Sequence, residues 1–311
     1  MRLGVDIGGT KTAAVVLGDD GEVLAKATAP SGRGAADVVA QATHIARLAM
    51  AEVGGPAAIT GAGACIPGLV DPAAGTVRHA VNLEVEHLDL ARDLGAALGL
   101  AVSVENDVKA AALGAHHLSG LGADRTLAYL NLGTGLAAAV VHAGEVVRGV
   151  DGVAGEIGHL PLGGDVVCAC GQTGCLETTA SGTALLRMWP EAAEHSFDLL
   201  GSAARGDAAA VLAAASLCGG VALAVQVLVL ASGAQSVVMS GGLTAMGEPL
   251  LEAIRAELGV RAASSPFLAS LALAERVTFL PAGVPVAAIG AARLTTPTEV
   301  EAAAGGAPWR S

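Results

Sequence analysis

The stretch Val5-Asp6-Ile7-Gly8-Gly9-Thr10-Lys11-Thr12-Ala13-Ala14-Val15-Val16 decides the fold. An apolar run enters a glycine turn and resumes beyond it, so Leu3 to Leu17 reads as a β-hairpin. It ends at the turn signal Gly18-Asp19-Asp20-Gly21. The pattern returns as Leu130-Asn131-Leu132-Gly133-Thr134-Gly135-Leu136-Ala137-Ala138-Ala139-Val140-Val141, at a constant offset of 125 residues (131 minus 6). Gly8/Gly133, Ala13/Ala138 and Val15/Val140 match. Chance matches are common in an Ala/Val-rich chain, but glycine turns at equivalent places argue for a true repeat. Two such hairpins predict two α/β lobes around a cleft, each offering a glycine turn to a polyphosphate.

Outward from the first hairpin, the sequence predicts a third strand at Glu22 to Ala27. A helix follows from Ala35 to Val53, with Val38, Val39, Ile45 and Leu48 facing inward. Next come a strand at Ala57 to Ala64, a helix at Leu88 to Leu98, a strand at Ala101 to Val104 and a helix at Val108 to Leu118. The second half predicts helices at Ala180 to Met188 and Ala203 to Ala231, and strands at Ser236 to Met239 and Arg276 to Leu280. A last helix runs from Pro285 to Leu294, ahead of a loose tail from Thr295 to Ser311. The expected division is a small α/β lobe over 1-112, completed by C-terminal helix 285-311, and a larger α/β lobe over 113-284.

The chain has 311 residues, enough for two modest cores. With 53% hydrophobic residues and only three Phe, two Trp and one Tyr, those cores are built from Ala, Val and Leu. A formal charge of -12 and a pI near 5.0 exclude nucleic acid and anionic membranes as expected partners. No segment reads as reaching the roughly 18 apolar residues of a membrane span. The longest run, Val221 to Ala231, holds Gln226 and reads as a buried helix. An acid as early as Asp6 argues against a signal peptide, and unpaired cysteines point to the cytoplasm.

Gly8, Gly9 and Thr10 expose backbone N–H groups to a phosphate oxygen, with Lys11 beside them, although a plain hairpin turn would use the same residues. Asp6 tips the balance, because a carboxylate in an apolar strand is costly unless it binds something. Mg2+ held through water beside ATP phosphates suits it. Gly133, Thr134 and Gly135 would serve the same phosphates, and Gly241 with Gly242 would let a nucleotide lie against backbone. Asp107, just past a strand, is the candidate general base; Asn106 can cap the following helix while Asp107 faces the site.

A second cluster lies further along. From His159 there are eight intervening residues to Cys168, one to Cys170 and four to Cys175, a set that suits tetrahedral zinc. Four protein ligands close the shell and make the ion structural. The surrounding Gly163, Gly164, Asp165, Gly171, Gln172, Thr173 and Gly174 are turn formers that offer no apolar core of their own, and a disulfide would leave one thiol over. Cys65 and Cys218 read as packing.

Asp6 to Thr10, Ile66-Pro67-Gly68-Leu69-Val70-Asp71, Glu105-Asn106-Asp107, Gly133-Thr134-Gly135, Gly155-Glu156-Ile157-Gly158-His159, the cysteine trio with Glu177, and Gly241-Gly242 occur in an order that resembles the ROK family of sugar kinases and repressors. The resemblance covers residues 1 to 295. It implies the actin-like, ribonuclease H-like ATPase fold and an ATP-dependent kinase acting on the 6-hydroxyl of glucose or a related hexose. By the same resemblance Asp107 is the base and Gly68, Asn82, Asn106, Glu156, His159 and Glu177 contact the sugar. His159 then serves twice, one ring nitrogen on zinc and the other toward a sugar oxygen. A homodimer is also implied.

Departures from the family pattern at Val108-Lys109, Ala115-His116-His117 and Leu136 to Ala139 leave the sugar open, with an amino sugar such as an N-acetylhexosamine or an aminoglucose as the alternative. His116 and His117 read as surface helix residues. A sugar-responsive repressor is the other class; its members carry a DNA-binding segment ahead of the sugar domain, whereas the first strand here starts at Leu3. A sugar-binding protein without turnover is a third.

Overall fold

The structure, a computed structural model, describes residues 1–193 and 198–294. The tail expected to be loose, Thr295 to Ser311, and that part of the 285-311 helix lie outside the described residues. The chain divides into two units, Met1–Gly120 with the chain from Pro285 onward, and Leu121–Val284.

The first unit opens with β1 (Arg2–Ile7), β2 (Lys11–Leu17) and β3 (Val23–Pro30), followed by α1 (Gly34–Ala51) and β4 (Gly61–Ile66). Short strands β5 (Leu69–Asp71), β6 (Thr76–Ala80) and β7 (Val85–Leu88) precede α2 (Leu90–Leu98), β8 (Val102–Asn106) and α3 (Asp107–Ser119). The main sheet runs β3-β2-β1-β4-β8, antiparallel on the hairpin side and parallel from β1 through β4 to β8. Leu3, Val5 and Ile7 of β1 are buried with Val38, Ile45 and Met50 of α1.

The second unit contains β9 (Thr126–Leu132), β10 (Leu136–His142), β11 (Glu145–Val146), α4 (Gly182–Met188), α5 (Leu199–Ala204) and α6 (Ala208–Ser232). It continues with β12 (Ser236–Ser240), α7 (Glu248–Ala263), α8 (Pro266–Ser270) and β13 (Val277–Phe279). Its sheet runs β11-β10-β9-β12-β13, the same plan as the first: a hairpin with a third strand outside it, then two parallel strands inside. The last helix, α9 (Val286–Ala292), returns to the first unit and packs on α3, β1 and β4. Gly4 and Gly63 permit this, since a side chain at either would collide with α9 carbonyls of Ala288 and Ala291.

The repeat is therefore real, with one change of register. Asp6 pairs with Ala13 across the first hairpin, but Asn131 pairs with Ala137 across the second. The second turn is one residue shorter, Gly133 to Gly135 against Gly8 to Lys11. Residues before the turns correspond at an offset of 125 (131 minus 6), and those after at 124 (137 minus 13). Ala138 therefore does not correspond to Ala13.

Several expectations need correcting. Leu48 is 46% exposed, because the buried stripe of α1 runs Val38, Ala42, Ile45, Ala49 and leaves it on the far side. The single helix expected from Ala203 to Ala231 is two, separated at Gly206, with Asp207 capping α6 by accepting from the Ala209 and Ala210 N–H groups at 2.9 and 3.0 Å. Pro56–Ala58 forms a short 3-10 turn, so β4 starts at Gly61 rather than Ala57. The boundary expected between 112 and 113 falls inside α3.

Contrary to the sequence expectation, α6 is long and apolar enough to cross a membrane by length and composition, at a mean hydropathy of 2.2. Its Leu217, Val221, Val225 and Leu228 belong to the core cluster that includes Leu130 of β9 and Met239 of β12. Packing within its own unit thus accounts for its apolar composition.

Candidate functional site

Three parallel strands of the first unit end in one row. Asp6 of β1 lies opposite Cys65 of β4, and Cys65 lies opposite Glu105 of β8. Asp107 follows as the first residue of α3, so the carboxylates gather at the carboxyl ends of parallel strands. The Cys65 thiol donates to Asp6 Oδ1 at 3.6 Å and also contacts the Ala287 carbonyl oxygen at 3.6 Å. Burial first, then repulsion from Asp107, pushes the Asp6 carboxyl up to about 7, against the opposing pull of Cys65 and Lys11. A carboxyl held that high and half-buried is one that a divalent cation would bring back to its charged form. Cys65 is thus not mere packing: it touches the carboxylate that sequence reasoning had singled out. Glu105, 1% exposed, accepts the Asn106 N–H at 2.9 Å.

Asn106 caps α3, its Oδ1 accepting from the Val108 and Lys109 N–H groups at 3.0 and 3.3 Å. Its amide also reaches the Gly68 carbonyl at 3.4 Å, which brings two of the predicted sugar residues together. Asp107 Oδ1 accepts the Val108 N–H at 2.9 Å. The turn Gly8 to Lys11 closes through the Gly8 N–H and the Lys11 carbonyl at 3.1 Å, and Ser31 supports it by donating to the Gly8 carbonyl at 2.6 Å. Asn82 lies beside this turn: a Cβ on Gly9 would sit 3.0 Å from that of Asn82. Arg33 donates to the Asn82 carbonyl, a contact that no spacing in the sequence announced. His117 is half-buried, its Nε2 3.1 Å from the Gly21 carbonyl, so it links α3 to the β2–β3 turn rather than lying free on the surface.

In the second unit Asn131 takes the place of Asp6, at the end of β9 beside Ser240 of β12. Gly241 has φ +109°, and a Cβ there would lie 2.5 Å from the Leu132 carbonyl oxygen and 2.8 Å from Asn131 Oδ1. Only glycine fits that corner. The turn Gly133-Thr134-Gly135 is tied to the start of α4: Gly182 N–H donates to the Gly133 carbonyl at 2.8 Å, and Thr183 N–H and Oγ1 donate to that of Thr134 at 3.0 and 2.9 Å. Gly242 opens a short 3-10 turn, with nothing within 4 Å of where its Cβ would be.

His159, Cys168, Cys170 and Cys175 converge, with one ligand atom from each lying within 4.8 Å of the others. His159 Nδ1 is 3.7 Å from Cys168 Sγ, and Cys170 Sγ is 3.7 Å from Cys175 Sγ. A tetrahedral zinc with bonds of about 2.3 Å needs S···S edges of about 3.8 Å, so the donor set fits the ion. The Gln172 backbone N–H holds the exposed Cys170 thiol low, at about 7, whereas burial pushes Cys175 up to about 12. Glu156 is exposed on the short turn that leads into His159, and Glu177 follows Cys175 on another. Glu177 Oε2 accepts the Leu136 N–H at 2.8 Å, a contact invisible in the sequence because the partners lie far apart in the chain.

Comparison with known proteins identifies the family and the fold. The ROK family model matches residues 2–296. A glucokinase of Halalkalibacterium halodurans is 31% identical over 279 residues, covering 81% of this chain and 83% of the relative. A glucokinase of Streptomyces coelicolor is 37% identical over 191 residues, 60% of this chain, and the match spans 58% of that relative's length. The crystal structure of a ROK hexokinase from Thermus thermophilus superposes with a TM-score of 0.79 at 31% identity, covering 97% of this chain and all of that one. The duplicated α/β units are those of the actin-like ATPase fold. The chain belongs to the ROK family.

Proposed function

We propose that this chain is an ATP-dependent hexose kinase that transfers the γ-phosphoryl group to the 6-hydroxyl of glucose or a close relative. The observation that carries it is the row Asp6–Cys65–Glu105 at the ends of parallel strands, with Asp107 beside it. Phosphoryl transfer asks for alignment, charge neutralisation and one carboxylate to take the hydroxyl proton. Asp107 takes that proton; Asn106, capped onto α3 and bonded to Gly68, keeps the base in place. Mg2+, when bound, neutralises the phosphates, and Asp6 is the residue that would hold it through water.

The backbone N–H groups of Gly9 and Thr10, with Lys11, are the phosphate donors of the first hairpin, where the Gly8 N–H holds the turn closed on the Lys11 carbonyl. Those of Thr134 and Gly135 are the donors of the second, where the Gly133 N–H bonds the Gly135 carbonyl, and Gly241 and Gly242 leave room for the nucleotide. Glu156, His159 and Glu177 take sugar hydroxyls, and Gly68 and Asn82 are the sugar-contacting residues of the first unit. His159 Nδ1 and the three thiolates hold one Zn2+, which leaves Nε2 to face the sugar. An amino sugar is the second reading, because Glu156 and Glu177 would accept from an ammonium or an amide as readily as from a hydroxyl. A cytoplasmic homodimer accompanies either reading.

ADP release across a panel of hexoses and amino sugars tests both. Stimulation by glucose above all others is the expected result, and preference for an amino sugar selects the second reading. If no sugar stimulates ADP release, the kinase assignment fails. Elemental analysis should find about one zinc per chain; a metal-free protein whose folding is indifferent to Cys170→Ser would rule the zinc out.

A further inference from the structure

Glu177 touches two groups within the second unit. Its Oε2 accepts the Leu136 N–H at 2.8 Å, and its Oε1 lies 3.8 Å from Cys168 Sγ. The fit at the first contact is close, since a Cβ on Gly135 would collide with Oε2. Glu177 also stands two residues from Cys175 on a 3-10 turn, Leu176–Thr178, that the cysteine itself anchors. The Cys175 carbonyl accepts from Thr178 N–H at 2.9 Å and from Thr178 Oγ1 at 2.7 Å. Leu136 is the first residue of β10, directly after Gly133-Thr134-Gly135.

The geometry points to Glu177 as a positioning residue that couples the metal cluster to the glycine turn between β9 and β10. An ion held by His159, Cys168, Cys170 and Cys175 fixes the turn that carries Glu177; the Glu177 carboxylate then fixes the amide at the end of Gly133–Gly135. Segments beside it share the same arrangement, as Ala138 N–H donates to the Gly155 carbonyl at 3.0 Å and Gly158 packs against the Leu136 carbonyl. A carboxylate has acceptor sites enough for a backbone amide and a sugar hydroxyl together, so this role adds to the one proposed above. The metal then acts at a distance on phosphate binding, in the absence of any sugar. That last consequence rests on the kinase reading; the coupling itself does not.

Amide hydrogen exchange at Leu136, followed on the full chain without nucleotide or sugar, tests the coupling. Removing the metal with a chelator should speed exchange by about tenfold or more, the loss expected for a hydrogen bond to a charged acceptor. Glu177→Ala should do the same while the metal content stays at that of the wild type. Glu177→Gln, which keeps a carbonyl acceptor, should restore most of the protection. MgATP affinity measured without sugar should fall several-fold in the first two cases and recover in the third. Unchanged Leu136 exchange in both the chelated protein and metal-loaded Glu177→Ala overturns the coupling, as does equal loss of protection in Glu177→Gln and Glu177→Ala. If no form binds MgATP, the kinase reading fails, and the exchange data still decide the coupling on their own.

Discussion

The two glycine hairpins share a topology and differ in chemistry. At the end of β1 stands Asp6, a carboxyl pushed up to about 7 beside Cys65; at the end of β9 stands Asn131, neutral and packed against Gly241. The first turn spans Gly8 to Lys11 and the second only Gly133 to Gly135. The first hairpin thus ends on a carboxylate and the second, at the corresponding position, on an amide. A reaction on a phosphate needs both, a cation held by acids and anionic oxygens met by N–H donors.

Making the first hairpin resemble the second should have the largest effect. Asp6→Asn removes the cation's carboxylate, and steady-state ADP release should drop by about 100-fold or more, with the Mg2+ requirement weakened. The glycines separate the units next. Gly241→Ala meets φ +109° and the Leu132 carbonyl, and should cost about 2–4 kcal/mol in chemical denaturation. Gly9→Ala meets only the Asn82 side chain at 3.0 Å and should cost under about 1 kcal/mol.

Asp6 also writes a pH dependence into the metal-free protein. Its folded pKa, about 7, lies above the ordinary aspartate value of 3.8, so the fold disfavours the charged form. The penalty is absent below pH 3.8, grows between there and 7, and is complete above 7. Asp6→Asn should therefore raise stability at pH 8 by on the order of 2 kcal/mol and change it little at pH 4. Equal effects at both would place Asp6 in a different environment. The reverse exchange, Asn131→Asp, puts a negative charge beside the turn proposed to meet phosphate, and MgATP affinity should weaken about tenfold.

Much of this was legible in the sequence because the hairpins carry it locally: apolar alternation, glycine turns and an acid out of place. The convergence of His159, Cys168, Cys170 and Cys175 was legible for the same reason, since all four fall within a short stretch. What escaped reading depends on distant pairing. Cys65 looked like a core residue until β1 and β4 set it opposite Asp6, and Glu177 read only as a sugar contact until β10 brought it the Leu136 amide. Strands β5 to β7 hold three to five residues each and bend through left-handed His79 and Glu84, so no alternation marks them. Helix α7 was missed because only Leu250, Leu251, Ile254 and Leu258 are buried along its sixteen residues, which leaves a thin stripe. The one-residue shift after the second turn was hidden by a composition in which Ala and Val match almost anywhere.

The central claim is that Asp107 takes the proton of a sugar hydroxyl. Turnover and sugar affinity measured side by side for wild type and Asp107→Asn test it most directly. In Asp107→Asn kcat should fall by about 100-fold to 10,000-fold, with sugar and MgATP binding retained within a few-fold. Near-full turnover in Asp107→Asn would contradict it.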